Sequence, residues 1–137
     1  MDEVKGMVNM REIKFRALKD DVSNCNFVFG QLVYDAIGNT RITEVNSSGD
    51  GLLFHTCIKG TESQYTGLKD KNGKEIYEGD IVSAIDFEKT NYKIKFEDGC
   101  FIFTNGLRGH QLDYSTIQNL QAEVIGNIYE NPELLNG

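Results

Sequence analysis

The stretch from Gln64 to Val82 constrains the fold of this chain more than any other, because it holds two tight turns and the start of a strand. Asn72-Gly73 predicts a hairpin, since a type I′ turn needs positive φ at both central residues, and Asn and Gly tolerate this best. Glu78-Gly79-Asp80 predicts a second turn, where glycine can adopt conformations closed to residues with a Cβ. Ile81-Val82-Ser83-Ala84-Ile85 is typical of a strand, being rich in β-branched residues. Backbone geometry alone accounts for this segment.

Short apolar runs separated by turn residues recur along the chain. Each is about five to eight residues long, the usual length of a strand; they lie at 27–34, 40–45, 52–58, 80–87, 92–96, 100–104 and 123–128. Lys93-Ile94-Lys95-Phe96-Glu97 alternates polar and apolar residues, as a strand with one solvated face does. Asp98-Gly99 then predicts a hairpin to the next run. The expected fold class is therefore mainly β.

Helix signals are weak and lie near the C-terminus. Tyr114 to Gln121 predicts one short helix, capped by Asp113 or Ser115. Pro132 predicts a terminal helical turn, since proline suits the first helical position. We expect an extension at 1–9 that is flexible, an N-terminal β region at 10–67 and a more compact C-terminal domain at 68–137.

Composition and charge exclude several classes of function. Hydrophobic residues make up 39% of the chain, but no run approaches the roughly 18 apolar residues of a membrane span. The N-terminus lacks the apolar core of a signal peptide, so we expect a cytoplasmic protein. Lys and Arg number 14 against 21 acids, a net charge of −7. Direct nucleic-acid binding is disfavoured because it usually needs a basic face, whereas imitation of DNA by the acidic surface stays open.

The cysteines and histidines predict no metal site, and no cofactor is expected. Cys25, Cys57 and Cys100 are too far apart in sequence for a C-x-x-C pair, and their odd number argues against a disulfide framework. Buried thiols are the better interpretation. His55 and Cys57 would share one face of a strand at 52–58, but nothing nearby completes the tetrahedral ligand set of zinc.

Catalytic signals are equally sparse. The chain has no G-x-S-x-G, no H-E-x-x-H, no phosphate-binding loop and no G-x-G-x-x-G. A Cys100–His110 dyad would require the fold to bring the two side chains within hydrogen-bond reach. A structural role for Cys100, at the start of a strand, is the favoured interpretation. The sequence therefore leans against an enzyme.

Three blocks of the sequence are distinctive: MREIKFRA at 10–17, the stretch at 64–82, and EVIGNIYENPELL at 123–135. They resemble the YopX family of small proteins encoded by phages and prophages, and the likeness spans nearly the whole chain. Leu18 stands where the family commonly has Trp, and residues 1–9 precede the family's usual start. The resemblance implies a β-rich fold whose C-terminal part is similar to an SH3-like barrel, in a phage or prophage setting. It implies no particular activity.

Two classes of function follow. The favoured one is a non-catalytic module that binds a protein partner, associates with itself, or does both. Tyr65, Tyr77, Phe87 and Tyr92 are candidate partner-binding residues because each adjoins a turn or a charged residue. Packing in the core is about twice as favoured for them, since aromatic residues dominate core burial. The alternative is an accessory factor in phage or host DNA metabolism, including a DNA mimic, or an enzyme with an unrecognised site.

Overall fold

A computed structural model describes residues 11–23 and 26–136 and shows a mainly β protein. The expected fold class is confirmed. The strands are β1 (Phe15–Leu18), β2 (Phe27–Tyr34), β3 (Thr40–Val45), β4 (Leu52–Thr56), β5 (Ser63–Lys69), β6 (Glu75–Tyr77), β7 (Asp80–Ile85), β8 (Lys89–Glu97), β9 (Cys100–Thr104), β10 (Gly109–Gln111) and β11 (Glu123–Asn127). An α-helix, α1 (Tyr114–Leu120), follows β10, and a 3₁₀ helix (Pro132–Leu135) follows β11. The extension at 1–9 lies outside the described residues.

All seven apolar runs contain a strand, and the local signals that end them are confirmed. Asp98 and Gly99 both have positive φ, +53° and +82°, as the predicted two-residue turn between β8 and β9 requires. Asp113 caps α1, since its carboxylate accepts a hydrogen bond from the Thr116 amide at 2.8 Å. Pro132 begins the 3₁₀ helix. Strands β1, β5, β6 and β10 were not among the predicted runs, although the hairpin predicted at Asn72-Gly73 joins β5 and β6.

The hairpin at Asn72-Gly73 is confirmed, but its turn type was predicted wrongly. Only Gly73 has positive φ, +84°. The Gly73 amide donates to the Asp70 carbonyl at 3.0 Å, and the Asp70 amide donates to the Lys74 carbonyl at 2.8 Å. The Asp70 carboxylate also accepts from the amides of Asn72 and Lys74. These bonds stabilise a longer loop of the kind in which one glycine takes the left-handed position.

The strands form two antiparallel sheets. The first has the order β4-β3-β2-β1-β5-β6 and the second β10-β9-β8-β7-β11. The chain passes from one sheet to the other between Tyr77 and Asp80, whereas the expected division at 67/68 falls within β5. Among the described residues no pairing joins β10 to β11, so the C-terminal SH3-like barrel stays a prediction.

The first sheet coils so that the end of β4 reaches β1. Lys19 and Cys57 form an antiparallel bridge, and the Ile58 amide donates to the Leu18 carbonyl at 2.8 Å. A small core lies inside this coil, built from Ala17, Ile42 and Cys57. Burial raises the pKa of the Cys57 thiol above its ordinary value. Cys57 is buried, as the sequence predicts, whereas Cys100 is half-buried. Cys25 lies outside the described residues.

Glycine is required at position 30, where the backbone of β2 lies very close to that of β3. A Cβ added at Gly30 would lie 2.2 Å from the Thr43 carbonyl oxygen, far inside the contact distance. The close approach of the two backbones therefore depends on the missing side chain.

A larger core lies between the second sheet, the β5–β6 hairpin and α1. Its buried residues are Ile76, Val82, Ala84, Tyr92, Ile94, Phe103, Leu112, Ile117 and Ala122. Ile76 belongs to the first sheet by strand pairing, yet its side chain packs in this core together with Leu68. The β5–β6 hairpin therefore links the two halves of the chain through apolar burial, the main stabilising contribution in folding.

A buried ion pair also joins the two sheets. Arg16 on β1 donates to the Asp80 carboxylate on β7 at 2.6 Å, and the second carboxylate oxygen accepts from the Tyr77 amide at 2.8 Å. The guanidinium lies between the rings of Phe27 and Tyr77, 4.1 and 4.7 Å from their centres. Burial raises the pKa of Asp80, although the Arg16 charge and the Tyr77 amide act in the opposite direction.

Candidate functional site

A cleft of about 670 Å³ opens at one end of the second sheet. Its walls come from the start of β8, the turn between β9 and β10, and the 3₁₀ helix. A neighbouring depression of about 400 Å³ shares Asn105 and Leu135 with it. The cleft lies within the size range of ligand sites in proteins.

The turn between β9 and β10 is built by Asn105. Its side-chain oxygen accepts hydrogen bonds from the amides of Leu107 and Arg108, both at 2.9 Å. Gly106 supplies the positive φ, +90°, that the turn needs. The Thr104 hydroxyl closes the turn by donating to the Arg108 carbonyl at 3.0 Å. This turn holds the Leu107 side chain out in solvent, with 93% of its surface exposed.

Asp86 connects three neighbouring elements beside the cleft. Its carboxylate accepts a hydrogen bond from the Tyr92 hydroxyl and lies 3.3 Å from His110 Nε2 and 3.8 Å from Arg108 Nη1. The Tyr92 hydrogen bond, together with the Phe87 amide, His110 and Arg108, holds the pKa of Asp86 well below its usual range. Burial and the same carboxylate raise the pKa of Tyr92. Asp86 is therefore an anion that fixes the β7–β8 loop against β10.

The stability that Asp86 contributes should disappear in acid. Because its pKa is lower in the folded state, the unfolded chain takes up the proton first as the pH falls below the ordinary value of 3.8. The contribution is therefore complete above that value and is lost below it. Thermal unfolding of the wild type and Asp86→Asn, followed between about pH 2 and pH 6, should show the two midpoints converging in acid. Glu88→Gln, at an exposed neighbouring carboxylate, is the control, and a constant difference between wild type and Asp86→Asn would contradict this assignment.

The structure separates the Cys100–His110 pair that the sequence left open. His110 pairs with Phe103 across β9 and β10, and its ring lies 5.1 Å from the Phe103 ring. Cys100 lies three residues before Phe103 on β9, so it is roughly 10 Å from His110 and on the opposite face of the sheet. A nucleophile and its base must lie within hydrogen-bond reach, so these two side chains form no dyad.

His55 and Cys57 lie close together at the end of β4, but their contacts are not those of a metal site. His55 Nε2 lies 2.8 Å from the Glu44 carboxylate, and the Cys57 thiol donates to the His55 carbonyl at 3.3 Å. Within residues 11–23 and 26–136, no three His, Cys, Asp or Glu side chains are grouped to hold a metal ion.

Three of the four candidate partner-binding aromatics lie in the interior, the position that the core-packing interpretation favoured. Tyr65, Tyr77 and Tyr92 are buried, as the core-packing interpretation requires. Tyr65 and Tyr77 pack together with ring centres 5.4 Å apart, and Tyr92 packs against Phe103 at 5.2 Å. Phe87 differs, since 92% of its surface is exposed. Partner binding through Phe87 stays a prediction.

Sequence reasoning missed Leu107 and Arg108. The Arg108 guanidinium carbon lies 6.0 Å from the centre of the Phe87 ring, and Arg108 Nη2 donates to the Thr90 hydroxyl at 3.2 Å. Arg108 thus places the tips of two loops next to each other. Asn105-Gly106 is a sequence typical of a turn, but the proximity of this turn to Phe87 depends on the pairing of β8 with β9.

Comparison with known proteins agrees with this fold. A family model described as YopX protein matches residues 4–136. The chain belongs to the YopX family. The crystal structure of protein EF1440 from Enterococcus faecalis is similar, with a TM-score of 0.59 and 26% identity over 93% of this chain and 100% of that one. The crystal structure of protein yopX from Bacillus subtilis gives a TM-score of 0.61 and 20% identity, over 93% of this chain and 98% of that one.

At 20% identity, the Bacillus subtilis YopX structure supports the fold alone. No curated protein matches the chain. Among the described residues, no helix combines the length and apolar character needed to cross a membrane.

Proposed function

We propose that this YopX-family protein is a non-catalytic module that binds a protein partner in the cytoplasm of a bacterium carrying a phage or prophage. One observation carries the proposal. Phe87 and Leu107 are large apolar side chains with 92% and 93% of their surface exposed. Leu107 lines the cleft, and Phe87 lies in the adjoining loop, with its ring centre 6.0 Å from the guanidinium carbon of Arg108, another lining residue. Apolar side chains exposed together beside a cleft are typical of interaction sites, whereas single ones are common on any surface.

The lining of the cleft suits a polypeptide segment. Leu134 and Leu135 offer apolar surface, while Asn91, Asn105 and Arg108 offer polar groups at its walls. Charges of both signs are present, since Lys89, Arg108, Glu88 and Glu133 all line the cleft. A buried apolar anchor surrounded by polar and charged groups is the usual anatomy of a protein–protein interface.

The rim is held in place before any partner binds. Asp86 fixes the loop that carries Phe87 through its bonds to Tyr92 and His110, and Asn105 fixes the turn that carries Leu107. Rigid placement of the contact residues lowers the entropy cost of binding.

Affinity capture tests this proposal. The tagged wild-type protein, incubated with lysed host cells with and without an induced prophage, should enrich one stoichiometric protein identified by quantitative mass spectrometry. The double variant Phe87→Ala/Leu107→Ala should reduce that enrichment at least about tenfold, since truncating a central apolar anchor commonly costs 2 kcal/mol or more, about 30-fold.

The control is Ile37→Ala, an equally exposed apolar residue in the turn between β2 and β3. It should capture the same protein as the wild type. Equal enrichment by the wild type and the double variant would place the binding site elsewhere, and no enriched protein in either lysate would count against the proposal.

A further inference from the structure

The free edge of β4 carries main-chain groups that are available for pairing. Cys57 donates its amide to the Thr40 carbonyl, and Asn46 donates its amide to the Gly51 carbonyl, both at 2.9 Å. In an antiparallel ladder the direction of the main-chain groups alternates along the strand. Leu52 and Phe54 therefore point their N–H and C=O groups away from β3, and these groups have no partner among the described residues.

Apolar side chains flank this edge on both faces. Leu52 and Phe54 lie on one face with 59% and 53% of their surface exposed, and Leu53 lies on the other with 45% exposed. No charged residue occurs in β4. An edge strand of this kind is a template for pairing with another strand.

The other three edges of the two sheets are protected. β6 and β10 have only three residues each. β11 begins with Glu123 and is interrupted by a bulge between Val124 and Gly126. Short strands, charges and bulges are the devices by which proteins prevent edge pairing. β4 has none of them, and the segment after β1 covers its edge at Thr56 but not at Leu52 or Phe54.

We propose that two copies of this chain form a dimer by antiparallel pairing of β4, with the two-fold axis at Leu53. In this register Leu53 lies opposite Leu53 of the second copy, and Leu52 lies opposite Phe54 in both directions. The outward N–H and C=O groups of Leu52 and Phe54 then exchange hydrogen bonds. The partner is a second copy because the strand is complementary to itself in backbone direction and in side-chain pattern, and an isologous contact of this kind closes at two subunits.

The charges near the edge are compatible with this register, despite the net charge of −7 on each chain. The Thr56 carbonyl already accepts a hydrogen bond from the Asp20 amide at 2.9 Å, so the pairing ends at Leu52 and Phe54 and does not extend to Asp50. The Glu44 carboxylate on β3 lies 2.8 Å from His55 Nε2, and the Asp50 carboxylate accepts from the Ser48 hydroxyl at 2.6 Å. Like charges placed directly opposite each other across strands would oppose pairing, and here none are.

A surface depression beside β4 provides further apolar contact. It has a volume of about 420 Å³, and Gln31, Thr43, Val45 and Leu52 are among its lining residues. Phe54 of the second copy, opposite Leu52, would lie at its border and extend the contact from β4 onto β3. This adds aromatic burial to the main-chain pairing.

Sedimentation velocity over a dilution series tests the dimer and its register together. The wild type should sediment as a dimer that dissociates on dilution. Leu53→Lys and Leu53→Glu, each alone, should raise the dimer Kd at least about tenfold, because like charges then lie opposite each other across the axis. An equimolar mixture of the two variants should recover the dimer, since opposite charges then meet at the same position.

Val33→Lys is the matched control, because Val33 is an exposed apolar residue on β2, two strands away from the edge. It should dimerise like the wild type. Phe54→Thr, which keeps β propensity and removes the aromatic contact, carries the test if the charged variants do not fold. A wild type that is monomeric at every concentration, variants that remain dimeric, or a mixture that remains monomeric would overturn the proposal. Since neither Phe87 nor Leu107 takes part, the result is independent of partner binding at the cleft.

Discussion

Replacing Asp80 by Asn is expected to lower the free energy of unfolding by about 3–5 kcal/mol, the cost of breaking one member of a buried ion pair. Only 2% of the Asp80 side-chain surface is exposed, and its carboxylate binds Arg16 at 2.6 Å. Asparagine keeps the size of the side chain but leaves the Arg16 charge buried without a counterion. Because this pair joins β1 to β7, both sheets should lose stability together. Urea unfolding followed by circular dichroism measures the change.

An exposed ion pair of similar length provides the control. Lys95 and Glu97 lie 2.7 Å apart, but each has 47% of its side chain exposed. Glu97→Gln should therefore change the free energy of unfolding by at most about 1 kcal/mol. The double variant Arg16→Met/Asp80→Leu should recover most of the stability lost in Asp80→Asn, since it removes both charges. If Asp80→Asn lowered the free energy of unfolding by no more than Glu97→Gln does, burial of the Arg16–Asp80 pair would add nothing to the stability of the protein.

Replacing Tyr77 by Ala is expected to destabilise the protein by about 3–5 kcal/mol, the usual cost of truncating a buried aromatic side chain. Tyr77 has 2% of its surface exposed and packs against Phe29 and Tyr65, with ring centres 5.7 and 5.4 Å away. Its ring also lies over the Arg16 guanidinium. The substitution therefore leaves a cavity and exposes the ion pair to water. The same urea titration measures the loss.

Phe87→Ala is the matched control for Tyr77→Ala. Both remove an aromatic side chain that the sequence suggested for partner binding, but Phe87 is exposed and should cost within about 0.5 kcal/mol. The two variants thus separate packing from binding: Tyr77→Ala should unfold at lower urea, whereas Phe87→Ala should keep its stability and lose partner capture. Equal stability of the two variants would contradict the assignment of Tyr77 to the core.

The local signals predicted most of the strands, because a turn and the alternation of side chains depend on neighbours in sequence. Asp98-Gly99 forms the predicted two-residue turn, since both residues tolerate positive φ. At Asn72-Gly73 the same reasoning gave the hairpin but not the turn type. The Asp70 carboxylate, two residues before Asn72, binds two amides of the loop and favours a different geometry.

The aromatic residues show where sequence reasoning ends. Tyr65, Tyr77, Phe87 and Tyr92 all adjoin turns or charges, yet three are buried and one is exposed. Tyr77 is the last residue of the three-residue strand β6 and is next to a turn. Its side chain is nevertheless buried, because residues of β1 and β2 pack against its ring. Phe87 lies in the loop after β7, and the nearby Arg108 side chain leaves its ring exposed.

By itself, the sequence determined the mainly β fold, the position of most of the strands, the cap of α1 and the likeness to the YopX family. The fold class, the strands and the cap follow from backbone preferences within a few residues. The family likeness follows from three sequence blocks that occur in the family's order. Only the tertiary structure decided that Arg16 meets Asp80, that Arg108 lies beside Phe87, and that β4 is an edge. These features depend on which strands pair, and strand pairing is governed by contacts between residues far apart in the chain.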